Sequence, residues 1–228
     1  MSYVIDYLPL ILKGMLLTIE VALMSLLISI LLGMIGALAK LSKSRIAQAV
    51  AMTYTTIIRG IPDLVLMTLI FFGGQILVNN IGEKLGWDYI DVNPFIAGVI
   101  TIGFIFGAYM AESFRGGILA VSRGEIEAGY AFGMTPLKVF IRITLPAMVR
   151  HALPSFGNNW LVMTKATALV SVIGLQDLVY NASVAGGSTR KPFTFFLTAA
   201  LLYLVITGVS DMGLRWLDRR YSVGVRRA

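Results

Sequence analysis

The chain has 228 residues, of which 57% are hydrophobic and 14% charged, and its mean hydropathy is +0.81. This composition excludes an ordinary soluble domain and predicts an integral membrane protein. The net charge of +7 would suit a nucleic-acid partner, but the basic residues flank apolar segments instead of forming one binding stripe, so we expect no nucleic acid.

Five apolar segments predict five membrane-spanning helices in an all-α protein. A bilayer core of about 30 Å needs roughly 20 apolar residues of helix. Four windows without a charged residue meet this length: residues 21–39, 64–82, 92–111 and 192–210. A fifth segment, residues 151–179, carries Lys165 near its middle, which hydropathy penalises by roughly 2.5–3.5 kcal/mol. We predict that this segment also spans the membrane.

Two pairs of opposite charge lie near the ends of these segments. Arg59 and Asp63 have the spacing of a pair on one helix, with Pro62 between them, where a bend is expected. Glu112 and Arg115 are three residues apart, on one face of the following helix. We favour a structural role for both pairs over contact with a substrate.

Residues 125–154 form a polar interruption between apolar segments. The pattern predicts a short helix over residues 127–132, ended by Gly133, which can adopt the left-handed conformation. Thr135 then matches an N-cap, and Pro136 matches a first-turn proline. A second helix is therefore predicted to begin at once, which makes the segment a helix-turn-helix.

The second helix of this segment has one apolar face. Its apolar positions follow helical spacing and are Leu137, Phe140, Ile141, Leu145 and Met148. Proline lacks a backbone N–H and its ring clashes with the preceding helical turn. We therefore expect this helix to end or kink at Leu145 and Pro146.

Residues 151–179 carry a polar pattern that could line an aqueous path. Aromatic and hydroxyl side chains recur there at spacings of four, three and four residues, at Trp160, Thr164, Thr167 and Ser171. Asn158 and Lys165 flank this stripe. Because a charged residue in a span almost always faces a protein interior or a cavity, we expect Lys165 to point inward, where it could meet a substrate carboxylate. The threonines could equally hydrogen-bond neighbouring helices together, and both interpretations stay open.

The distribution of basic residues predicts the orientation in the membrane, because cytoplasmic loops carry the excess of lysine and arginine. One set of alternate loops contains Lys40, Lys43, Arg45, Arg115, Arg123, Lys138, Arg142, Arg150, Arg215, Arg219, Arg220, Arg226 and Arg227. The other set contains only Lys13, Lys84, Arg190 and Lys191. The amino terminus is therefore predicted outside and the carboxyl terminus in the cytoplasm.

Several motifs resemble those of one family of transport subunits. The pattern Glu127-Ala128-Gly129, then Gly133, then Leu145-Pro146 resembles the EAA loop of the membrane subunits of ABC importers, with Gly129 where alanine is usual. Polar amino-acid importers have segments similar to RGIP at 59–62, AYMAESFRGG at 108–117, GNNW at 157–160 and KATALVSVIGLQDL at 165–178. The segments IRGIPDLVLM at 58–67 and RRYSVGVRRA at 219–228 are similar to the Q-type permease subunit of histidine, lysine, arginine and ornithine importers.

The resemblance implies a fold and a docking site. It implies a single transmembrane domain over residues 1–228, with the type I ABC importer fold and cytoplasmic coupling helices at about residues 120–150. It also implies that an ATPase docks on residues of this loop, namely Glu127, Ala128, Gly129, Gly133, Thr135, Pro136, Leu145 and Pro146. The candidates for the substrate path remain those of the polar pattern in residues 151–179: Asn158, Trp160, Thr164, Lys165, Thr167 and Ser171.

The resemblance further implies partners, location and substrate. The chain would form half of a translocation path in a bacterial inner membrane, with a second permease subunit that is either identical or a paralogue. Further partners would be membrane lipid, an extracytoplasmic binding protein and a dimer of ABC ATPases that holds ATP and magnesium. The implied substrates are basic amino acids, with glutamine, glutamate or opines as the alternative.

Two other function classes are weighed on the residues alone. A self-contained channel or secondary transporter would leave the helix-turn-helix unexplained, and we find no repeat that would support alternating access. An intramembrane enzyme would need paired aspartates, a serine with a base, or an HExxH motif, and none is legible. The chain has no cysteine, one histidine and no GxxxxGK[ST] phosphate loop. We therefore expect no metal site, no cofactor and no ATP hydrolysis on this chain.

Overall fold

A computed structural model of the protein describes residues 2–221, and its regular elements in that range are all helical. The α-helices are α1 (Ser2–Leu41), α2 (Arg45–Gly60), α3 (Asp63–Lys84), α4 (Pro94–Leu119), α5 (Arg123–Ala131), α6 (Pro136–Val139), α7 (Leu145–Ala166), α8 (Leu178–Thr189) and α9 (Pro192–Tyr221). A π-helical segment, Phe140–Thr144, joins α6 to α7, and a 3₁₀ segment, Thr167–Ile173, extends α7. Most of the segment RRYSVGVRRA at 219–228, including Arg226 and Arg227, lies outside the described residues.

The described helices supply four or five candidate membrane spans. By length and hydropathy, α1, α3, α4 and α9 can each cross a membrane. The predicted windows at 64–82 and 192–210 lie inside α3 and α9, and the window at 92–111 lies in α4 apart from its first two residues. A fifth span results when the helical stretch Pro136–Ile173 and the helix Leu178–Thr189, which meet at 53°, are counted together.

The fifth span is broken where a single helix was expected. Gly174 has a φ of +87°, a left-handed conformation that ends the 3₁₀ segment. Asp177 then caps α8, because its carboxylate accepts a hydrogen bond from the Tyr180 N–H at 2.8 Å. The predicted fifth span over residues 151–179 is therefore present as a bent span, with its break near the end of that segment. Glycine and an N-capping aspartate interrupt the helix locally.

Helix α1 has 40 residues, although its predicted window covered only residues 21–39. At 1.5 Å per residue its length is about 60 Å, well beyond a hydrocarbon core of about 30 Å. Lys13 and Glu20 are exposed, whereas Gly14 and Thr18 are buried on the side that packs on α8. The helix continues through the charged positions because they lie on its free face.

Helix α4 lies at the centre of the fold and is the most enclosed of the four candidate spans that consist of a single helix. Glycines allow it to approach α1 closely. A Cβ on Gly33 would lie 2.5 Å from Met110 Cβ, and a Cβ on Gly103 would lie 2.6 Å from Ile28 Cβ. Small residues at such crossings let membrane helices pack backbone to backbone. Helices α3 and α9, by contrast, have few buried residues.

Arg59 and Asp63 do not form a pair on one helix, contrary to the prediction. Helix α2 ends before Pro62 and α3 begins after it, so the bend expected at the proline is present and separates the two residues. The Arg59 guanidinium lies over the ring of Tyr109 in α4, 5.4 Å from its centroid. A cation–π contact therefore takes the place of the expected ion pair.

The helix of the polar segment does not end at Leu145 and Pro146, contrary to one form of the prediction. Helix α6, the π segment and α7 follow one another without a break. The Leu145 N–H donates to the carbonyl of Phe140, five residues earlier. This wider turn accommodates the missing N–H and the ring of Pro146, so the helical path continues.

Candidate coupling element and substrate path

A left-handed glycine makes the turn between α5 and α6. Gly133 has a φ of +74°, and its N–H donates to the carbonyl of Tyr130 at 2.9 Å. The Met134 N–H donates to the carbonyl of Gly129 at 3.1 Å. These bonds satisfy carbonyls at the end of α5, as in the common glycine C-cap of helices. The predicted role of Gly133 in this turn is confirmed.

The second helix begins where the sequence predicts. The Thr135 hydroxyl accepts a hydrogen bond from the Lys138 N–H at 3.4 Å, and Pro136 is the first residue of α6. Helix α5 begins at Arg123, four residues before the predicted start. The helix-turn-helix is therefore confirmed, with a longer first helix.

Gly129 is buried at the contact between the two helices of this element. A Cβ on Gly129 would lie 2.6 Å from Ile143 Cδ1 and 3.1 Å from Val139 Cγ2. Both distances are shorter than ordinary van der Waals contact, so an alanine would require these side chains to move. This tight packing explains physically why glycine stands where the EAA pattern usually has alanine.

The outer surface of the helix-turn-helix has an apolar centre with charged neighbours. Phe132 is 83% exposed and Leu137 is 67% exposed. Glu127, Ala128 and Lys138 are exposed beside them. Protein interfaces commonly combine a desolvated apolar centre with a polar rim. The surface is therefore suited to contact with another protein.

The remaining motif residues divide between this surface and the base of α7. Gly133, Thr135 and Pro136 are exposed at the turn. Leu145 is partly buried against the cluster that contains Phe114, while Pro146 is exposed on α7. Leu145 therefore contributes to internal packing at the end of the element.

The hydroxyl stripe of α7 and its 3₁₀ extension is satisfied by its own backbone. Thr164 donates to the carbonyl of Trp160 at 2.9 Å, and Thr167 donates to the carbonyl of Thr164 at 2.6 Å. Ser171 donates to the carbonyl of Ala168 at 2.7 Å. Thr164 and Thr167 are buried, whereas Trp160 and Ser171 are partly buried. Burial of the two threonines favours the helix-packing interpretation for them.

Asn158 and Lys165 lie on the opposite face of α7, which is exposed. They are seven residues apart and nearly aligned, with the exposed Val162 between them. Lys165 borders a surface cleft of about 300 Å³ that is otherwise lined by residues of the 3₁₀ segment, α8 and α9: Ala168, Val179, Phe196, Ala199, Ala200 and Tyr203. In this chain Lys165 therefore lies at the edge of an open cleft between helices.

An ion network lies at the end of α4. The predicted contact between Glu112 and Arg115 is confirmed, with Nε and Oε2 3.1 Å apart. Lys40 of α1 pairs with the same carboxylate and also donates to the Thr55 hydroxyl of α2. The network ties three helices together, which supports the structural role that the sequence suggested for Glu112.

Two polar contacts of this region were not foreseen. Lys40 was interpreted only as a residue flanking a membrane span. Asn159 donates to the Ser113 hydroxyl at 2.9 Å, which links α7 to α4. Both contacts join distant parts of the chain, so no local spacing signals them. The quoted segment GNNW at 157–160 contains Asn159, and AYMAESFRGG at 108–117 contains Ser113 and Glu112, but neither segment indicates which residues meet.

Comparison with known proteins places this architecture in one family. The family model described as "Binding-protein-dependent transport system inner membrane component" matches residues 29–223. The histidine/lysine/arginine/ornithine transport system permease protein HisQ of Salmonella typhimurium is 54% identical over 218 residues, 96% of each chain. The octopine transport system permease protein OccQ of Rhizobium meliloti is 45% identical over 211 residues, 92% of this chain and 89% of the relative.

A solved structure shows the same fold. The chain matches a crystal structure of an amino acid ABC transporter with histidines at a TM-score of 0.80 and 32% identity, over 95% of this chain and 96% of that one. The chain therefore belongs to the family of inner-membrane components of binding-protein-dependent transport systems. It is a permease subunit of an ABC importer with the type I fold, a transport component and not an enzyme.

Proposed function

We propose that this permease forms half of a translocation path for basic amino acids: arginine, histidine, lysine and ornithine. The observation that carries the proposal is the 54% identity, over 96% of both chains, to a permease named for these four substrates. The octopine permease at 45% identity makes an opine the second candidate substrate.

The exposed face of α7 supports a path shared with a second permease subunit. Lys165 and Asn158 lie on this face, and an ammonium group at membrane depth is stabilised by water or by a carboxylate. We assign Lys165 to the carboxylate of the amino-acid substrate and Asn158 to neutral hydrogen bonds. Trp160, Thr164, Thr167 and Ser171 lie on the opposite face of this helical stretch, where they pack behind the path.

A basic side chain of the substrate would then need a carboxylate elsewhere in the transporter. Lys165 would repel a cationic group at short range. The segment from α7 through the 3₁₀ helix contains no aspartate or glutamate. We assign the balancing carboxylate to the second permease subunit, identical or paralogous, across the path, because Asp211 of this chain, which lines a cleft beside Asn158, already pairs with Arg215.

The helix-turn-helix is assigned to coupling with a dimer of ABC ATPases, which bind the ATP and magnesium. Its exposed Phe132 and Leu137 would fill apolar contacts on the ATPase, and Glu127 and Lys138 would set the register. When ATP closes the dimer, the coupling helices of the two permeases are drawn together and the spans open outward. Hydrolysis returns the path to the inward-open state.

An extracytoplasmic binding protein delivers the substrate. The amino terminus of the permease lies outside, and its carboxyl terminus lies in the cytoplasm of a bacterium.

Transport competition tests the substrate class. Membrane vesicles that contain the permease with its ATPase, second permease and binding protein would take up labelled arginine in the presence of unlabelled histidine, ornithine, glutamine, glutamate or octopine. We expect the basic amino acids to compete and glutamine and glutamate not to. Competition by octopine alone would favour the opine assignment, and equal competition by glutamate would refute a site for basic substrates.

A further inference from the structure

The connection between α3 and α4 is fixed at its start by a glycine turn. Gly86 has a φ of +73°, which reverses the chain after α3. The Trp87 N–H then donates to the carbonyl of Gly82 at 2.8 Å. At its far end, Asn93 accepts hydrogen bonds from the first N–H groups of α4. Both ends of this short loop are therefore held by hydrogen bonds.

Two amide side chains of α3 also hold the middle of the loop. Asn79 accepts from the Ile90 N–H at 2.8 Å and donates to the Ile90 carbonyl at 3.0 Å. Gln75, one turn earlier, donates to the same carbonyl at 2.6 Å and accepts from the Val92 N–H at 2.8 Å. Each amide uses both a donor and an acceptor. We call this arrangement the amide clasp.

The amide clasp orders a loop that buries little of its own side-chain surface. Tyr89 is 75% exposed and Trp87 is 58% exposed, and the carboxylates of Asp88 and Asp91 are also exposed. Four hydrogen bonds therefore fix a segment whose aromatic and acidic side chains face outward. Prior ordering of a loop lowers the entropy lost on binding, and tyrosine and tryptophan are enriched in protein interfaces.

The charge of the loop favours a protein over lipid as its occupant. Aromatic residues alone would suit the membrane interface. Two carboxylates beside them would instead be repelled by an anionic lipid surface. Acidic and aromatic side chains together complement a basic protein surface, and opposite charges would accelerate its association.

We propose that residues 85–92 are the docking surface for a basic lobe of the extracytoplasmic binding protein. The proposal rests on the proposed function, since it requires a binding protein and places the loop outside. It adds the location of the contact and its charge: carboxylates at Asp88 and Asp91 on the permease, lysines or arginines on the partner. The amide clasp acts as a positioning device that holds these groups in place.

Charge reversal tests the docking surface. The double variant Asp88→Lys and Asp91→Lys would be assembled with its partners in lipid nanodiscs, and ATPase activity would be titrated with purified binding protein. We expect the half-maximal concentration of binding protein to rise about tenfold, because rim charges act mainly on association. Activity without binding protein and maximal stimulated activity should not change. Asp6→Lys, exposed on the same predicted side but outside the loop, is the matched control.

Crosslinking tests the sign of the partner surface directly. The chain has no cysteine, so Asp88→Cys can carry a short maleimide–succinimide linker that captures a lysine of the binding protein. We expect capture by Asp88→Cys and none by Ser44→Cys, which lies on the opposite predicted side. The clasp variant Gln75→Leu with Asn79→Leu should weaken the same titration and leave activity without binding protein unchanged.

The outcomes separate this proposal from the proposed function. If the wild-type complex shows no stimulation by any binding protein, the proposed function itself fails. If the wild type is stimulated and the double charge reversal leaves the half-maximal concentration unchanged, only the docking surface is refuted. An equal effect of Asp6→Lys would show general electrostatics and would also overturn it. If the double variant detaches the loop from the membrane but leaves the titration with binding protein unchanged, the loop is a lipid anchor and the docking surface is refuted.

Discussion

Gly14 of α1 lies against the backbone of Asp177, at the break in the fifth span. A Cβ on Gly14 would lie 2.6 Å from the Asp177 carbonyl oxygen and 2.7 Å from Nδ2 of Asn181. Thr18, one turn further along α1, accepts a hydrogen bond from the Leu178 N–H at 3.2 Å. The long first helix thus braces the backbone where the span is interrupted.

Gly14→Ala is expected to destabilise this joint, because the added methyl group meets backbone that cannot rotate away. Overpacking of this kind costs about 1–3 kcal/mol. The measurement is thermal unfolding of the purified complex in detergent. Gly208→Ala is the matched control, since a Cβ there meets nothing within 4 Å. Equal midpoints for the two variants would show that α1 does not brace the break.

Gly133→Val is expected to uncouple ATP hydrolysis from uptake. The space around Gly133 is open, so the effect arises from the left-handed backbone, which costs a side-chain-bearing residue roughly 1–2 kcal/mol. The variant should reach the membrane but bind the ATPase weakly or hydrolyse ATP without transport. Gly124→Val, in the first turn of α5 and without a positive φ, serves as control. If Gly133→Val transports substrate at the wild-type rate, the turn has no role in coupling.

Single-cysteine labelling tests the orientation, since the chain has no cysteine of its own. Ser188 and Ser44 are both exposed, at the ends of α8 and α2. Positive-inside asymmetry places Ser188→Cys outside and Ser44→Cys in the cytoplasm. An impermeant thiol reagent added to intact cells should label only Ser188→Cys. Labelling of both positions, or of Ser44→Cys alone, contradicts the proposed topology.

Lys165→Met is expected to impair uptake while the complex still assembles. Methionine keeps much of the length of lysine and removes the ammonium group that we assign to the substrate carboxylate. Uptake should be lost or its half-saturation concentration raised about tenfold or more, since removal of a charge-assisted hydrogen bond costs roughly 1.5–3 kcal/mol. Lys13→Met, also exposed but on α1, is the control. Failure of assembly would indicate a packing role instead.

The sequence alone predicted those features that depend on nearby residues. The windows at 64–82 and 192–210 predicted α3 and α9, because the length of an apolar helix is set by the bilayer thickness. Gly133 and Thr135 predicted the turn of the helix-turn-helix, because a left-handed residue and an N-cap act within one helical turn.

Only the tertiary structure decided the features that depend on distant contacts. Spacing alone put the α7 threonines on one stripe, but which face of α7 is buried follows from packing against other helices. Arg59 meets Tyr109, and Lys40 meets Glu112, across large separations in the chain. Helix α1 continues past its charged residues because α8 covers its other face. Hydropathy and residue spacing describe one helix at a time, whereas the burial of a polar side chain depends on which other helix packs against it.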